Sequence, residues 1–242
     1  MDTSDSSPMV LNADPEHGGL RFAVLATFLV SFFILFIILA IFLRSLSGSL
    51  VSEFYFALSC LGAIPLSIAA AGIVEYVAKQ RWHSGRSLVV GGEGIVATVD
   101  PEKEQRYSWD GHMSVIKWYF RLGGYRRGGR ERRIPADWLC FCCQVQQDED
   151  RFVIFSYMPE EKAGQFIEDK RFHELRPGDF YEDSAFRRWL TPPNRPDIPT
   201  KVLAGKEGHF WLAERRRWTK GMELEIMDFV RFMEVVKQRV VE

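Results

Sequence analysis

Two runs without a charged side chain decide what this chain can be. Phe22 to Leu43 and Phe54 to Val74 contain no Asp, Glu, Lys or Arg. As helices rising about 1.5 Å per residue, each is long enough to cross a hydrocarbon core of about 30 Å. The averages over the whole chain hide this. At 242 residues, 47% hydrophobic, 26% charged and a net charge of −1, the composition is that of an ordinary soluble protein. The apolar and charged residues are sorted into blocks, however, and the sequence reads as a membrane protein with a transmembrane helical hairpin over 20–82. The chain after about residue 84 is long enough to bury a core of its own.

A cleavable signal peptide would need a basic leader, a short apolar core and small residues at its end. Here the leader carries Asp2, Asp5, Asp14 and Glu16, and the first run ends in Phe42-Leu43-Arg44, so the segment reads as a retained span. Positive charges near the span ends set orientation. Arg21, Lys79, Arg81 and Arg86 lie on one side and Arg44 alone on the other, which places both termini in the cytoplasm of a multi-pass protein of the cell (inner) membrane. That compartment keeps Cys60, Cys140, Cys142 and Cys143 reduced.

Residues 1–19, rich in Asp, Ser and Pro, are expected to be a disordered tail. In the second span Ser59, Ala63, Ser67 and Ala71 recur every four residues, a stripe along which the first span can approach closely. Pro65 is expected to kink this helix. Glu75 sits one turn before Lys79, so an i,i+4 pair accounts for it without transport chemistry.

Beyond Trp82 the pattern becomes extended. Ser87 to Val99 reads as two strand pieces around Gly91, Gly92 and Gly94. Ile116, Trp118, Phe120 and Leu122 alternate with polar or amphipathic residues, Leu139, Phe141, Cys143 and Val145 alternate again, and Phe152 to Tyr157 is a compact apolar strand. Pro159-Glu160-Glu161 opens a helix with Ala163, Phe166 and Ile167 inward. An antiparallel meander closed by a helix is the expected architecture of 84–172.

With Glu93-Gly94-Ile95 in the first hairpin, Ser108-Trp109-Asp110 at an expected strand start and Ile134-Pro135 before the later strands, residues 20–172 resemble the bacterial pleckstrin-homology-like membrane proteins of the YcxB-like kind. In those a two-helix hairpin precedes a β barrel or sandwich closed by a helix. The resemblance implies a binding scaffold without conserved catalytic chemistry. Residues 173–206, with four prolines between Pro192 and Pro199, read as an irregular strap. Residues 207–242 form a C-terminal helical segment. Within it, Gly221 to Glu242 is expected to be an amphipathic helix with Met222, Ile226, Phe229, Met233 and Val236 on one face, docked on the domain, a partner or another copy.

For catalysis the sequence offers no nucleophile with a base and no phosphate loop; Gly91-Gly92-Glu93-Gly94 does not open a helix. No enzyme activity and no cofactor are expected. Cys140-Phe-Cys142-Cys143 has a Cys-x-x-Cys spacing but no second ligand pair, so packed thiols are expected rather than a metal site. The most unusual polar feature is a run with Arg121, Arg126, Arg127, Arg130, Arg132 and Arg133 on an expected hairpin loop. For a domain tethered at a bilayer, these arginines, with Lys79, Arg81 and Arg86, point to anionic lipid headgroups or a partner, each contributing about 1 kcal/mol near such a surface. Nucleic acid is the less favoured partner. Two roles follow as expectations: a non-enzymatic membrane-anchored binding or scaffold module, or an accessory subunit of a larger membrane complex, held through the hairpin and the C-terminal helix.

Overall fold

The computed structural model describes residues 8–15, 17–46, 53–100, 103–123, 131, 133–168, 171–176 and 198–240. It divides into two units, one made of residues 14–84 and the other of 1–13 with 85–242.

The first unit is a helical hairpin of α1 (Gly18–Ser45) and α2 (Tyr55–Arg81), both long and apolar enough to cross a membrane. Both extend past the uncharged runs, since polar ends continue a helix readily once its centre has formed. The buried residues of α2 are Ser59, Ala63, Ser67 and Ala71, the small-residue stripe, while Ile37, Ile41, Leu61 and Ile68 point outward. A Cβ on Gly62 would stand 3.1 Å from Leu39 Cδ1, which marks how closely the helices approach. His17 closes the open end. Its Nδ1 accepts from the Leu20 amide (3.3 Å), so Nε2 carries the proton and donates to the Trp82 carbonyl (3.1 Å). Lys79 pairs with Glu75 at 2.9 Å.

The second unit begins before the hairpin. Strand β1 (Met9–Asn12) pairs antiparallel with β2 (Ser87–Val90), Met9 opposite Val90 and Asn12 opposite Ser87, and the Ala13 amide extends the ladder to the Arg86 carbonyl at 2.9 Å. The hairpin is thus an insertion between two paired strands. This corrects the reading of 1–19 as a disordered tail: 9–12 is a strand with Leu11 only 1% exposed, and 18–20 begin α1. A four-residue strand finds its burial in a partner distant in sequence, which a local count of apolar residues does not register.

β3 (Gly94–Asp100) and β4 (Lys103–Ser108) complete a four-stranded sheet in the order β1-β2-β3-β4. Gly94 is required, because a Cβ there would fall 2.0 Å from the Tyr107 carbonyl oxygen. β4 lies outside the expected strands, and Ser108-Trp109-Asp110 ends it rather than starting another. Its exposed Lys103, Glu104 and Arg106 suit an edge, where charge discourages further pairing. Gln147 covers the end of that edge as a peptide group would: its Oε1 accepts from the Ser108 amide (2.9 Å) and its Nε2 donates to the Ser108 carbonyl (3.1 Å).

The second sheet is built on β5 (Ser114–Arg121), β6 (Leu139–Gln147) and β7 (Asp150–Met158), paired antiparallel. Two-residue strands extend it in parallel: β8 (His173–Glu174) on β5 and β9 (Met222–Glu223) on β7. The second sheet is therefore mixed, so the domain is not a pure antiparallel meander, and the two sheets do not close into a barrel. Next in the chain come α3 (Glu160–Glu168), α4 (Thr200–Leu203), α5 (Gly208–Lys220) and α6 (Ile226–Arg239). Residues 177–197, most of the Pro-rich strap, lie outside the described residues.

Both faces of the second sheet are covered. Phe141, Cys143, Val145 and Ile154 share one core with the first sheet, α3 and α6; Trp118, Phe120, Cys140, Cys142 and Phe155 form another with Trp211 and Ala213 of α5. That is why β6 is buried without a break from Leu139 to Val145, as strands covered on both faces are. The C-terminal helix starts at Ile226, not at Gly221. Met222 goes to β9, and Gly221 is needed at the end of α5 because a Cβ there would meet the Arg217 carbonyl at 2.4 Å. Phe229, Phe232, Met233 and Val236 of α6 are buried in the first core, so its apolar face docks on its own domain.

Candidate functional site

Of the basic residues expected to form one surface, Arg126, Arg127, Arg130 and Arg132 lie outside the described residues. Lys79 and Arg81 stand on the last turn of α2, in the helical unit, whereas Arg86, Arg121 and Arg133 belong to the sheet unit. Arg121, at the end of β5, donates to both carboxylate oxygens of Glu160 (3.0 and 3.3 Å). That bond holds the Glu160 carboxyl below the usual carboxylate range and the Arg121 guanidinium above its own. Arg133 is exposed. Arg86 donates to three carbonyls, Val99 (2.8 Å), Lys220 (2.6 Å) and Gly221 (3.2 Å). Its guanidinium ties the start of β2 to β3 and to the end of α5, a structural use that the count of basic residues does not anticipate.

The polar cluster of greatest electrostatic consequence involves residues that the sequence reading passed over. Arg217 of α5 is enclosed in the second core, its side chain 2% exposed. Its Nε and one terminal nitrogen donate to the two carboxylate oxygens of Glu214 (2.8 and 2.9 Å), and that same nitrogen donates to Glu131 (2.9 Å). The other terminal nitrogen donates to the Tyr157 hydroxyl (3.3 Å), which in turn donates to Glu131 (3.2 Å); Trp118 Nε1 donates to Glu214 (3.0 Å). The guanidinium carbon lies 5.1 Å from the Phe120 ring centre and 4.8 Å from that of Phe155. Burial alone would pull the Arg217 pKa down, but Glu214 and the neighbouring groups outweigh it and the net direction is up. Burial also pushes the Tyr157 hydroxyl up, so it stays protonated as a donor.

A guanidinium is the cation suited to such a place, with five donors in a rigid plane that can grip two carboxylates while its face rests on aromatic rings. The cluster joins α5, β5, β7 and residue 131, which stands at the C-terminal root of the arginine-rich run. A sequence signal exists: Trp211, Glu214 and Trp218 recur at helical spacing with Ala213 and Arg217 beside them. A carboxylate and a guanidinium three residues apart on an otherwise apolar stripe mark a buried pair.

The thiols pack as strand geometry requires. Cys140 and Cys142 share the second core with their sulfurs 3.6 Å apart, and Cys143 faces the first core. Cys140 and Cys143 thus point to opposite sides of the sheet, and the Cys-x-x-Cys spacing cannot converge on one ion. Burial, with the hydrogen bond to Cys140, pushes the Cys142 thiol well above its ordinary pKa. Because the thiolate is the reactive form, Ellman's reagent should leave all three untouched in the folded chain and modify them only after denaturation. Rapid reaction of any of the three at pH 8 would show that the second sheet opens.

Compared with models of protein families, with curated proteins and with solved structures, this chain matches none.

Proposed function

We propose that the chain is a non-enzymatic membrane-anchored binding or scaffold module, in which an inserted transmembrane hairpin holds a pleckstrin-homology-like domain at the cytoplasmic face of the cell membrane. The observation that carries this reading is the insertion itself. The hairpin leaves the first sheet from β1 and returns to it at β2, through strands that pair residue by residue. Its helices turn Phe33, Ile37, Ile41, Leu61 and Ile68 outward, surface that water would penalise by about 25 cal/mol per Å² and that lipid accepts. An anchor that begins and ends in one sheet fixes that domain at the bilayer, where anionic headgroups and membrane-bound partners are the nearest ligands. The accessory-subunit reading loses one of its two docking surfaces, since the apolar face of α6 is already buried within the chain.

The expected result in spheroplasts is that a cysteine introduced in the 45–52 connection reacts with an impermeant maleimide, while a tag after residue 242 is protected from protease until the membrane is breached. Protease access to the C-terminal tag in sealed cells would overturn the topology. Release of the chain by alkaline carbonate would overturn the anchor.

A further inference from the structure

Where β4 and the β6–β7 turn face the end of α5, the sheet unit opens into a cleft of about 650 Å³. Among the described residues that line it are five cationic side chains, Arg86, Lys103, Arg151, Arg216 and Lys220, and three carboxylates, Asp100, Glu149 and Asp150. Asp150 is committed to Gln105, whose Nε2 donates to it at 3.3 Å, and Gln105 is held in turn by the Tyr107 hydroxyl at 3.0 Å. Arg216 is fixed from behind by its bond to Gln144 (3.0 Å). Among the described residues, none of Lys103, Arg151, Arg216 and Lys220 has a side-chain carboxylate within 4.0 Å. Arg151 and Arg216 both line the cleft, and burial, with the like charge of Arg151 after it, lowers the Arg216 pKa.

We propose that this cleft binds a phosphate monoester, with Arg151 and Arg216 holding the phosphate and Lys103 and Lys220 flanking it. Guanidinium groups bind the oxygens of a phosphate dianion through paired N–H donors, which Arg151 and Arg216 supply here. The volume falls within the range of small-molecule sites, roughly 300–1,000 Å³. The site lies wholly in the sheet unit, so it goes beyond the anchored-module reading and stands whether or not the hairpin crosses a bilayer.

The test is equilibrium dialysis of the full chain in neutral detergent with labelled inorganic phosphate at fixed ionic strength. Saturable binding is expected, weakened by about tenfold in R151Q/R216Q and changed less than about twofold in R215Q/R239Q, which removes the same charge from exposed positions outside the cleft. Should R151Q/R216Q lose its circular dichroism signature, R151Q alone carries the comparison, with a loss of about threefold or more. Displacement by glycerol 3-phosphate assigns a soluble ester, and displacement by phosphatidic acid nanodiscs but not by phosphatidylcholine ones assigns a lipid headgroup; either supports the site. Absence of saturable binding, or an equal loss in the R215Q/R239Q control, overturns it.

Discussion

Replacing Arg217 with Met should destabilise the sheet unit by about 3–5 kcal/mol, a large share of the roughly 5–15 kcal/mol that holds a domain together. Methionine fills much of the space between Phe120 and Phe155, so the loss comes mainly from charge. Glu131 and Glu214, 2% and 4% exposed, would both lose the buried guanidinium that they share. The design of the companion variant follows from that cause. Adding Glu131→Gln and Glu214→Gln to Arg217→Met removes the stranded charges and should recover most of the loss, because an apolar or neutral replacement for a whole buried ion cluster is close to neutral. Urea unfolding followed by tryptophan fluorescence measures both. A cost below about 1 kcal/mol for the single variant, or no recovery in the triple one, would show that the cluster is hydrated and contributes little.

Deletion of residues 1–13 should have an effect of the same order while touching none of the contiguous domain from Gly85 onward. Leu11 and Ala13 are buried in the core between the sheets, and a truncation of one buried leucine alone costs about 2–5 kcal/mol. The deletion also strips β2 of its partner and leaves its edge bare. The expected outcome is a hairpin that still inserts, followed by a domain that trypsin degrades. The reciprocal variant makes the argument two-sided: residues 8–13 joined by a short Gly/Ser linker to residues 85–242, with the hairpin excised, should be a folded, water-soluble monomer. A turn can bridge them because Ala13 and Arg86 are already hydrogen-bonded neighbours. If residues 85–242 alone prove as resistant to protease as the linked form, β1 adds nothing to the fold.

What the sequence disclosed and what it concealed divide along a physical line. Features whose signal is local were legible. The uncharged runs gave both long helices, the four-residue spacing of Ser59, Ala63, Ser67 and Ala71 gave the buried face of α2, period-two alternation gave β5 and β6, and a compact apolar run gave β7. The Glu75–Lys79 pair was legible for the same reason. Features that depend on distant partners were not. Met9–Asn12 is too short to carry a pattern of its own, and β4 offers only Tyr107 as a fully buried side chain. Met222 satisfies a helical stripe as well as a strand, and only pairing with Ile154 decides between them. The Arg217 cluster breaks the rule that a packed helix face is apolar, so Glu214 and Arg217 did not register as core residues. The groups lining the phosphate cleft are scattered from Arg86 to Lys220, and no window of sequence contains them.

The place of β1 also sets a timetable for making the protein. During synthesis β1 emerges first and its partner β2 appears only after the entire hairpin has been translated, so the first sheet has no mate for its leading strand through that interval. Closing so long a loop is slow, and the waiting strand must keep its apolar Leu11 from other edges meanwhile. Two antiparallel helices packed along a small-residue stripe shorten that wait, since they bring the chain back close to where it left. On the proposed reading, the hairpin would then serve the nascent domain as a clasp before it serves the mature one as an anchor, and substitutions that spread its helices, such as Ala63→Leu, would show first as a slower-folding sheet.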